Sequence, residues 1–102
     1  RVFPYRSVLD AGVSLAFSSD APVVKDFNPM MGVRNAVERV DVQGNEIGGT
    51  EKITIEEALR AYTLGAAEAE GTEAVNGSLE LGKWADLVVL EEGPFDGVVV
   101  LK

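Results

Sequence analysis

The carboxylate of Asp20 is the side chain in this sequence that is best placed to do chemistry. It lies in residues 17–22 (FSSDAP), directly after Val13–Phe17, a short apolar run with little charge. Such a run is typical of a strand that is buried on both faces of a parallel sheet. Ligands and catalytic groups gather at the carboxyl ends of such strands. A carboxylate there can bind a metal ion, accept a proton from an activated water, or do both.

A purely structural role for Asp20 fits the same residues. Aspartate before Ala21-Pro22 is a good turn residue, because its side chain can hydrogen-bond to nearby backbone groups. The local sequence leaves both interpretations open.

The residue types that are absent exclude several classes of site. The chain contains no Cys, which excludes a disulfide framework, thiol chemistry and Cys-ligated zinc. It also contains no His, which excludes a Ser–His or Cys–His triad and any His-ligated metal site built by this chain alone.

The other polar candidates each have a structural alternative. Arg34 and Arg39 on a predicted helix could reach an anionic substrate, or could pair with Glu38 and cover apolar surface with their stems. Trp84, beside a glycine turn, is predicted to be a packing anchor. The remaining carboxylates are predicted to lie on solvent-facing helix positions or in turns, and they are Glu56, Glu57, Glu68, Glu70, Glu91 and Glu92.

Length and charge restrict the partners. With 102 residues, the chain is one small domain or a piece of a larger one, and its first residue, Arg1, suggests a piece. A net charge of −8 repels nucleic-acid phosphates and anionic lipids, and no apolar run approaches the ~20 residues that span a bilayer. We therefore expect no nucleic-acid or membrane partner. The N-terminus has no signal-peptide pattern, so we expect a cytoplasmic location.

Helices are predicted to surround the Asp20 segment, followed by a β-rich tail. The predicted elements are a helix over 4–12, the strand Val13–Phe17, a helix from Asn28-Pro29 to Val40, a mobile surface loop over 41–52, a helix over 54–70 with a capping box at Thr54–Glu57 and a break near 63–65, a turn at Gly82-Lys83, and strands over 85–90 and 98–101. Residues 78–81 alternate between polar and apolar types. The composition changes near residues 72–76, where we place the boundary between the α/β part of the chain and its β-rich tail.

Taken together and in order, these segments resemble the C-terminal portion of the amidohydrolase superfamily of metal-dependent hydrolases. They look most like the branch called amidohydrolase family 3 or exoenzyme regulatory-protein-like. The matching segments are 7–13 (SVLDAGV), 19–22 (SDAP), 28–29 (NP), 54–63 (TIEEALRAYT), 65–67 (GAA) and 77–90 (GSLELGKWADLVVL). The resemblance covers nearly the whole chain except 41–52 and the residues after Gly93.

The resemblance implies an α/β fold, a distorted TIM barrel joined to a small β-sandwich. Residues 1–71 would be the last α/β unit of the barrel with its trailing helices, and residues 72–102 part of the sandwich. Val13–Ser18 looks like the eighth barrel strand. Asp20 matches the family aspartate that contacts a divalent metal, with zinc the expected ion, and that takes a proton from the attacking water.

The implied function is hydrolysis of a C–N bond, in an amide or cyclic amide of a small molecule. The family's metal site also needs a His-x-His pair, two further His residues and often a bridging Lys or Glu, and this chain has no His. A barrel needs ~250 residues, so 102 residues cannot close one. We therefore expect the isolated chain to be inactive and metal-free. The alternative is a non-enzymatic α/β module that self-associates into a homo-oligomer.

Overall fold

The computed structural model describes residues 3–20, 28–41, 43–89 and 100–101. This part of the chain is helix-rich, with one short sheet. Its elements are α1 (Tyr5–Asp10), α2 (Pro29–Glu38), a 3-10 turn (Gly49–Glu51), α3 (Ile55–Tyr62), α4 (Leu64–Glu70), β1 (Leu87–Val88) and β2 (Val100–Leu101).

The first two helices begin as their sequences predict. Pro4 precedes α1, and Gly12 beyond its end has a φ of 79°, the left-handed conformation that glycine tolerates best. At the start of α2, the Asn28 side chain accepts a hydrogen bond from the Met30 N–H at 3.0 Å. The predicted helix over 4–12 and the predicted cap at Asn28 are thus confirmed.

The second helix ends before Val40, where the prediction placed its end. Arg39 adopts a left-handed φ of 55°, and its N–H donates to the Asn35 carbonyl at 2.9 Å. Because a left-handed residue reverses the chain direction, the helix stops at Glu38. Val40 is 38% exposed, and the buried residues of α2 are Val33 and Ala36.

The predicted capping box is present at the start of α3. The Glu57 N–H donates to the Thr54 hydroxyl at 3.1 Å, and the Thr54 N–H donates to the Glu57 carboxylate at 2.9 Å. The predicted break is also confirmed, because Thr63 separates α3 from α4 and its hydroxyl donates to the Leu59 carbonyl at 2.8 Å. Gly71, with a φ of 80°, ends α4.

The core lies between α2 and α3 and consists mainly of small residues. Its buried members are Val33, Ala36, Ile53 and Ala58, and the half-buried residues packed against them are Tyr5, Leu9, Phe17, Val37, Leu59 and Tyr62. Larger apolar residues of the β-rich tail are exposed instead. Leu81 is fully exposed, Val89 is 76% exposed and Trp84 is 62% exposed. The prediction that Trp84 anchors packing is therefore wrong for the part of the chain that the structure describes.

Residues 13–20 do not form the predicted buried strand. No other described segment pairs with them in a ladder, and Val13 is 55% exposed. The segment lies against the helices instead, where the Phe17 N–H donates to the Ala61 carbonyl at 2.9 Å. A strand requires a neighbouring strand to satisfy its backbone groups, and the described chain supplies none here.

The segment 41–52 is more ordered than the predicted surface loop. Val40 and Glu46 form an antiparallel bridge, and the Asp41 carboxylate accepts the Asn45 N–H at 2.9 Å. The following 3-10 turn brings Glu51 into the interior, where it is 3% exposed. The interpretation of the whole segment as surface is wrong at Glu51, because Ser7 on α1 donates hydrogen bonds to this buried carboxylate.

The β-rich tail contains a minimal sheet. Leu87 pairs with Leu101 and Val88 with Val100, in antiparallel register. The two predicted strands are thus present but short, and their predicted residues 90, 98 and 99 lie outside the described residues. The alternating residues 78–81 form no strand in the described chain, whereas the predicted turn at Gly82 is present with a φ of 92°.

Candidate functional site

Asp20 is exposed at the end of the extended segment, in a left-handed conformation. Its φ is 55°, and its backbone N–H donates to the Ser18 hydroxyl at 3.3 Å. Among residues other than glycine this conformation is uncommon, although Asp adopts it more readily than most. The turn between Ser18 and Asp20 leaves the carboxylate accessible to a solute.

Aromatic packing holds Phe17, the residue directly before this turn, in place. The Phe17 ring lies 4.9 Å from the Tyr5 ring and 5.3 Å from the Tyr62 ring, in tilted and edge-to-face arrangements. Such pairs are favourable because the positive edge of one ring meets the negative face of another. Together with the Phe17–Ala61 backbone bond, they attach this point of the chain to α1 and α3.

An open cleft of about 580 Å³ lies beside the same residues. Its walls include the aromatic residues Tyr5, Phe17 and Tyr62 and the polar residues Ser18 and Asn35. Burial raises the pKa of both Tyr5 and Tyr62 above the ordinary value. The two phenols therefore stay protonated at neutral pH, and they can donate hydrogen bonds but do not act as bases.

Arg39 lies in the wall of this cleft but serves the fold. It is 6% exposed, its Nε donates to the Ile47 carbonyl at 3.0 Å, and its Nη1 donates to the Phe3 carbonyl at 2.9 Å. The guanidinium carbon also lies 5.3 Å from the centre of the Tyr5 ring. These contacts join α2, the following loop and the chain before α1.

The other arginine singled out by the sequence is engaged on the surface. Arg34 Nε lies 2.9 Å from Glu38 Oε2, and both side chains are largely exposed. Of the two alternatives for this residue, the structure shows the ion pair with Glu38. An exposed pair of this kind contributes little to stability.

Sequence reasoning missed the buried carboxylate of Glu51. It accepts the Ser7 backbone N–H at 2.8 Å and also the Ser7 hydroxyl, so it binds the first turn of α1. A carboxylate is favourable there because free N–H groups and the helix dipole present positive charge. Nothing around Glu51 in the sequence signals this contact, since its partner lies 44 positions away.

The described residues do not make a metal centre on their own. Among residues 3–20, 28–41 and 43–89, no group of three Asp or Glu side chains converges on one point. Asp20 could supply one carboxylate oxygen to a divalent ion, but a protein site for such an ion needs several ligands. At least part of a complete ligand set would therefore have to come from outside the described residues.

Comparison with known proteins identifies the family. A sequence model described as "Amidohydrolase family" matches residues 1–98. The chain belongs to the amidohydrolase family. This confirms the resemblance stated from the sequence, and membership implies a fold of the TIM-barrel type. The described part is helix-rich, and it forms neither a barrel nor a sandwich by itself.

Relatives with curated names match nearly the whole chain. It is 41% identical over 96 residues to an N-substituted formamide deformylase of Arthrobacter pascens, a match that covers 94% of this chain and 18% of that protein. It is 37% identical over 93 residues to Protein LONG AFTER FAR-RED 3 of Arabidopsis thaliana, covering 90% of this chain and 16% of that protein. An imidazolonepropionase of Bdellovibrio bacteriovorus is 32% identical over 89 residues, covering 87% of this chain and 19% of that protein.

The amidohydrolase chain thus spans less than a fifth of the length of these relatives. No solved structure matches it significantly. The family generally uses divalent metal ions. Within the residues that the structure describes, no helix is long and apolar enough to cross a membrane.

Proposed function

We propose that this chain is the C-terminal part of a hydrolase that cleaves a C–N bond, in an amide or cyclic amide of a small molecule. The observation that carries the proposal is the family match over residues 1–98. Two relatives support it by their names, since one is an N-substituted formamide deformylase and another an imidazolonepropionase.

Asp20 is the proposed catalytic residue, and its role is to accept a proton from the attacking water. Its exposed carboxylate follows a segment held by Phe17, and a positioned carboxylate can act as a general base. A divalent metal, zinc in this proposal, would supply Lewis-acid polarisation of the carbonyl group. Its other ligands would come from parts of a longer protein, and Asp20 would contribute one contact.

We also propose that the two parts of the chain belong to different domains of the longer protein. Residues 1–71 would close the barrel of the longer protein and carry Asp20, and residues 72–102 would be part of its β-sandwich. The 102-residue chain on its own would be inactive, because it has no His and no cluster of metal ligands among its described residues. A cytoplasmic location remains part of the proposal.

The test is Asp20→Asn in the longest protein that contains this chain, supplied with zinc and assayed on N-substituted formamides and cyclic amides. Asparagine also adopts left-handed φ values readily, so the turn is retained while the base is removed. We expect activity to fall by at least ~10²-fold, the usual contribution of a general base. Asp86→Asn, at an exposed carboxylate before β1, is the matched control and should retain activity. Near-normal activity of the Asp20 variant would refute the assignment.

Self-association is the second candidate, favoured by the exposed apolar residues of the tail. Leu81, Trp84 and Val89 are each more than half exposed, and β1 and β2 form a sheet of two strands. Two-stranded sheets are marginally stable alone, so another surface is needed to cover them. Size-exclusion chromatography with light scattering tests this candidate. A stable monomer at low micromolar concentration would contradict it.

A further inference from the structure

We propose that Ser18 is a positioning residue for Asp20, and this inference rests on the proposed function. The Ser18 hydroxyl accepts the backbone N–H of Asp20 at 3.3 Å. Ser18 is also the first residue after Phe17, whose ring is held between Tyr5 and Tyr62. The hydroxyl therefore connects a fixed point of the fold to the backbone of the proposed base.

The conformation of Asp20 explains why such a connection matters. With a φ of 55°, Asp20 lies in a region that side chains of L-residues disfavour. Without a restraint, the backbone of an exposed loop would move towards the broad extended region. Because the Cα–Cβ bond turns with the backbone, that change would point the carboxylate in another direction. The hydrogen bond that the Asp20 N–H donates to the Ser18 hydroxyl opposes this change.

The position of Ser18 relative to the aromatic residues of the cleft predicts which kinetic constant should change when its hydroxyl is lost. Ser18 lines the same cleft as Tyr5, Phe17 and Tyr62, whereas Asp20 follows just beyond it. A substrate held against the three aromatic rings would contact side chains whose packing does not involve the Ser18 hydroxyl. Loss of this hydroxyl should misdirect the carboxylate and leave substrate binding largely intact, so kcat should fall while KM stays the same.

The experiment compares three variants of the longest protein that contains this chain, with activity expressed per bound metal ion. Ser18→Ala removes the acceptor, and Ser18→Thr keeps a hydroxyl at the same position. Ser14→Ala removes a hydroxyl from the same extended segment, away from the turn. We expect Ser18→Ala to lower kcat about 10-fold, as supporting groups around catalytic residues do, at unchanged KM and unchanged melting temperature. Ser18→Thr and Ser14→Ala should behave like the parent protein.

A second readout does not depend on activity. Hydrogen exchange of the Asp20 backbone amide should be faster in Ser18→Ala than in Ser18→Thr, because only the threonine variant retains the acceptor. Equal exchange in the two variants would overturn the inference.

The outcomes separate this inference from the function on which it rests. If Asp20→Asn is inactive and Ser18→Ala keeps the parent kcat, the positioning role is refuted and the proposed base stands. If Asp20→Asn is active, the proposed function fails, and the positioning role fails with it. A tenfold loss in Ser18→Ala that threonine does not rescue would also refute the role of the hydroxyl.

Discussion

The guanidinium of Arg6 on α1 binds the carboxylate of Glu57 on α3 with two hydrogen bonds, one of them 3.1 Å long. Glu57 also accepts the Thr54 N–H at the start of its own helix. The Arg6 and Thr54 bonds, in that order, lower the pKa of Glu57 below its ordinary value. One carboxylate thus completes a helix cap and links two helices that are distant in the sequence.

Replacing Glu57 by Gln should make the fold less stable, and the difference should depend on pH. The pKa of Glu57 is lower when folded than the unfolded value of about 4.5, so its stabilisation is complete above that pH. It is lost as the pH falls through the folded pKa. Glutamine still completes the cap, so the ion pair alone is removed.

Urea unfolding at pH 7 and in strong acid measures this effect. We expect Glu57→Gln to lose about 0.5–1 kcal/mol at pH 7, the upper range for partly exposed pairs, and to match the parent in acid. Glu56→Gln, at the neighbouring exposed carboxylate, is the control. A difference that persists in acid would mean that the ion pair is not its source.

Removing the buried carboxylate of Glu51 should destabilise the first helix. In Glu51→Ala, the Ser7 N–H and hydroxyl lose this carboxylate as an acceptor, and hydrogen bonds to a charged group contribute about 1.5–3 kcal/mol. Glu46→Ala removes an exposed carboxylate from the same loop and should change stability by less than about 0.5 kcal/mol. Equal effects in thermal unfolding would contradict the structural role of Glu51.

Alanine at Gly65 should harm the fold, although alanine favours helices by about 1 kcal/mol. A Cβ at this position would lie 2.1 Å from the Leu15 carbonyl oxygen, a backbone atom that cannot move alone. We expect a net loss of about 1–3 kcal/mol. If the chain is part of the proposed hydrolase, the activity of that protein should also fall, because Leu15 precedes the Asp20 turn.

Gly32→Ala is the informative comparison for Gly65. A Cβ at Gly32 would meet the phenol end of Tyr62, whose displacement would loosen its contact with Phe17 but would not move the backbone. The helix would also gain the alanine preference. Chemical denaturation should therefore show a smaller loss for Gly32→Ala than for Gly65→Ala. A larger loss of stability for Gly32→Ala than for Gly65→Ala would show that the Leu15 backbone is not closely packed against α4.

Trp84, the single tryptophan of the chain, reports on whether the tail is covered. It is 62% exposed, so its fluorescence in the isolated 102-residue chain should be strongly quenched by acrylamide. In a longer protein with a completed fold, the quenching should fall. Protection of Trp84 that rises with concentration in the isolated chain would instead support self-association.

Local patterns predicted the helices well, because their signals act over a few residues. The cap at Asn28, the capping box of Thr54 and Glu57, and the break at Thr63 all follow from bonds between near neighbours. The prediction for Val13–Phe17 failed for the opposite reason. An apolar run has strand propensity, but a strand exists only where another strand pairs with it.

The sequence by itself determined the family, the presence of the helices with their N-terminal caps, and Asp20 as the candidate base, since these depend on residue type and order. Only the tertiary structure decided that Glu51 is buried against Ser7, that Gly65 adjoins the Leu15 carbonyl, and that Ser18 bonds to the Asp20 backbone. The first two contacts join segments that are far apart in the chain, and the third depends on the left-handed backbone of Asp20. Whether such groups meet is set by how the helices pack, which local propensities do not specify.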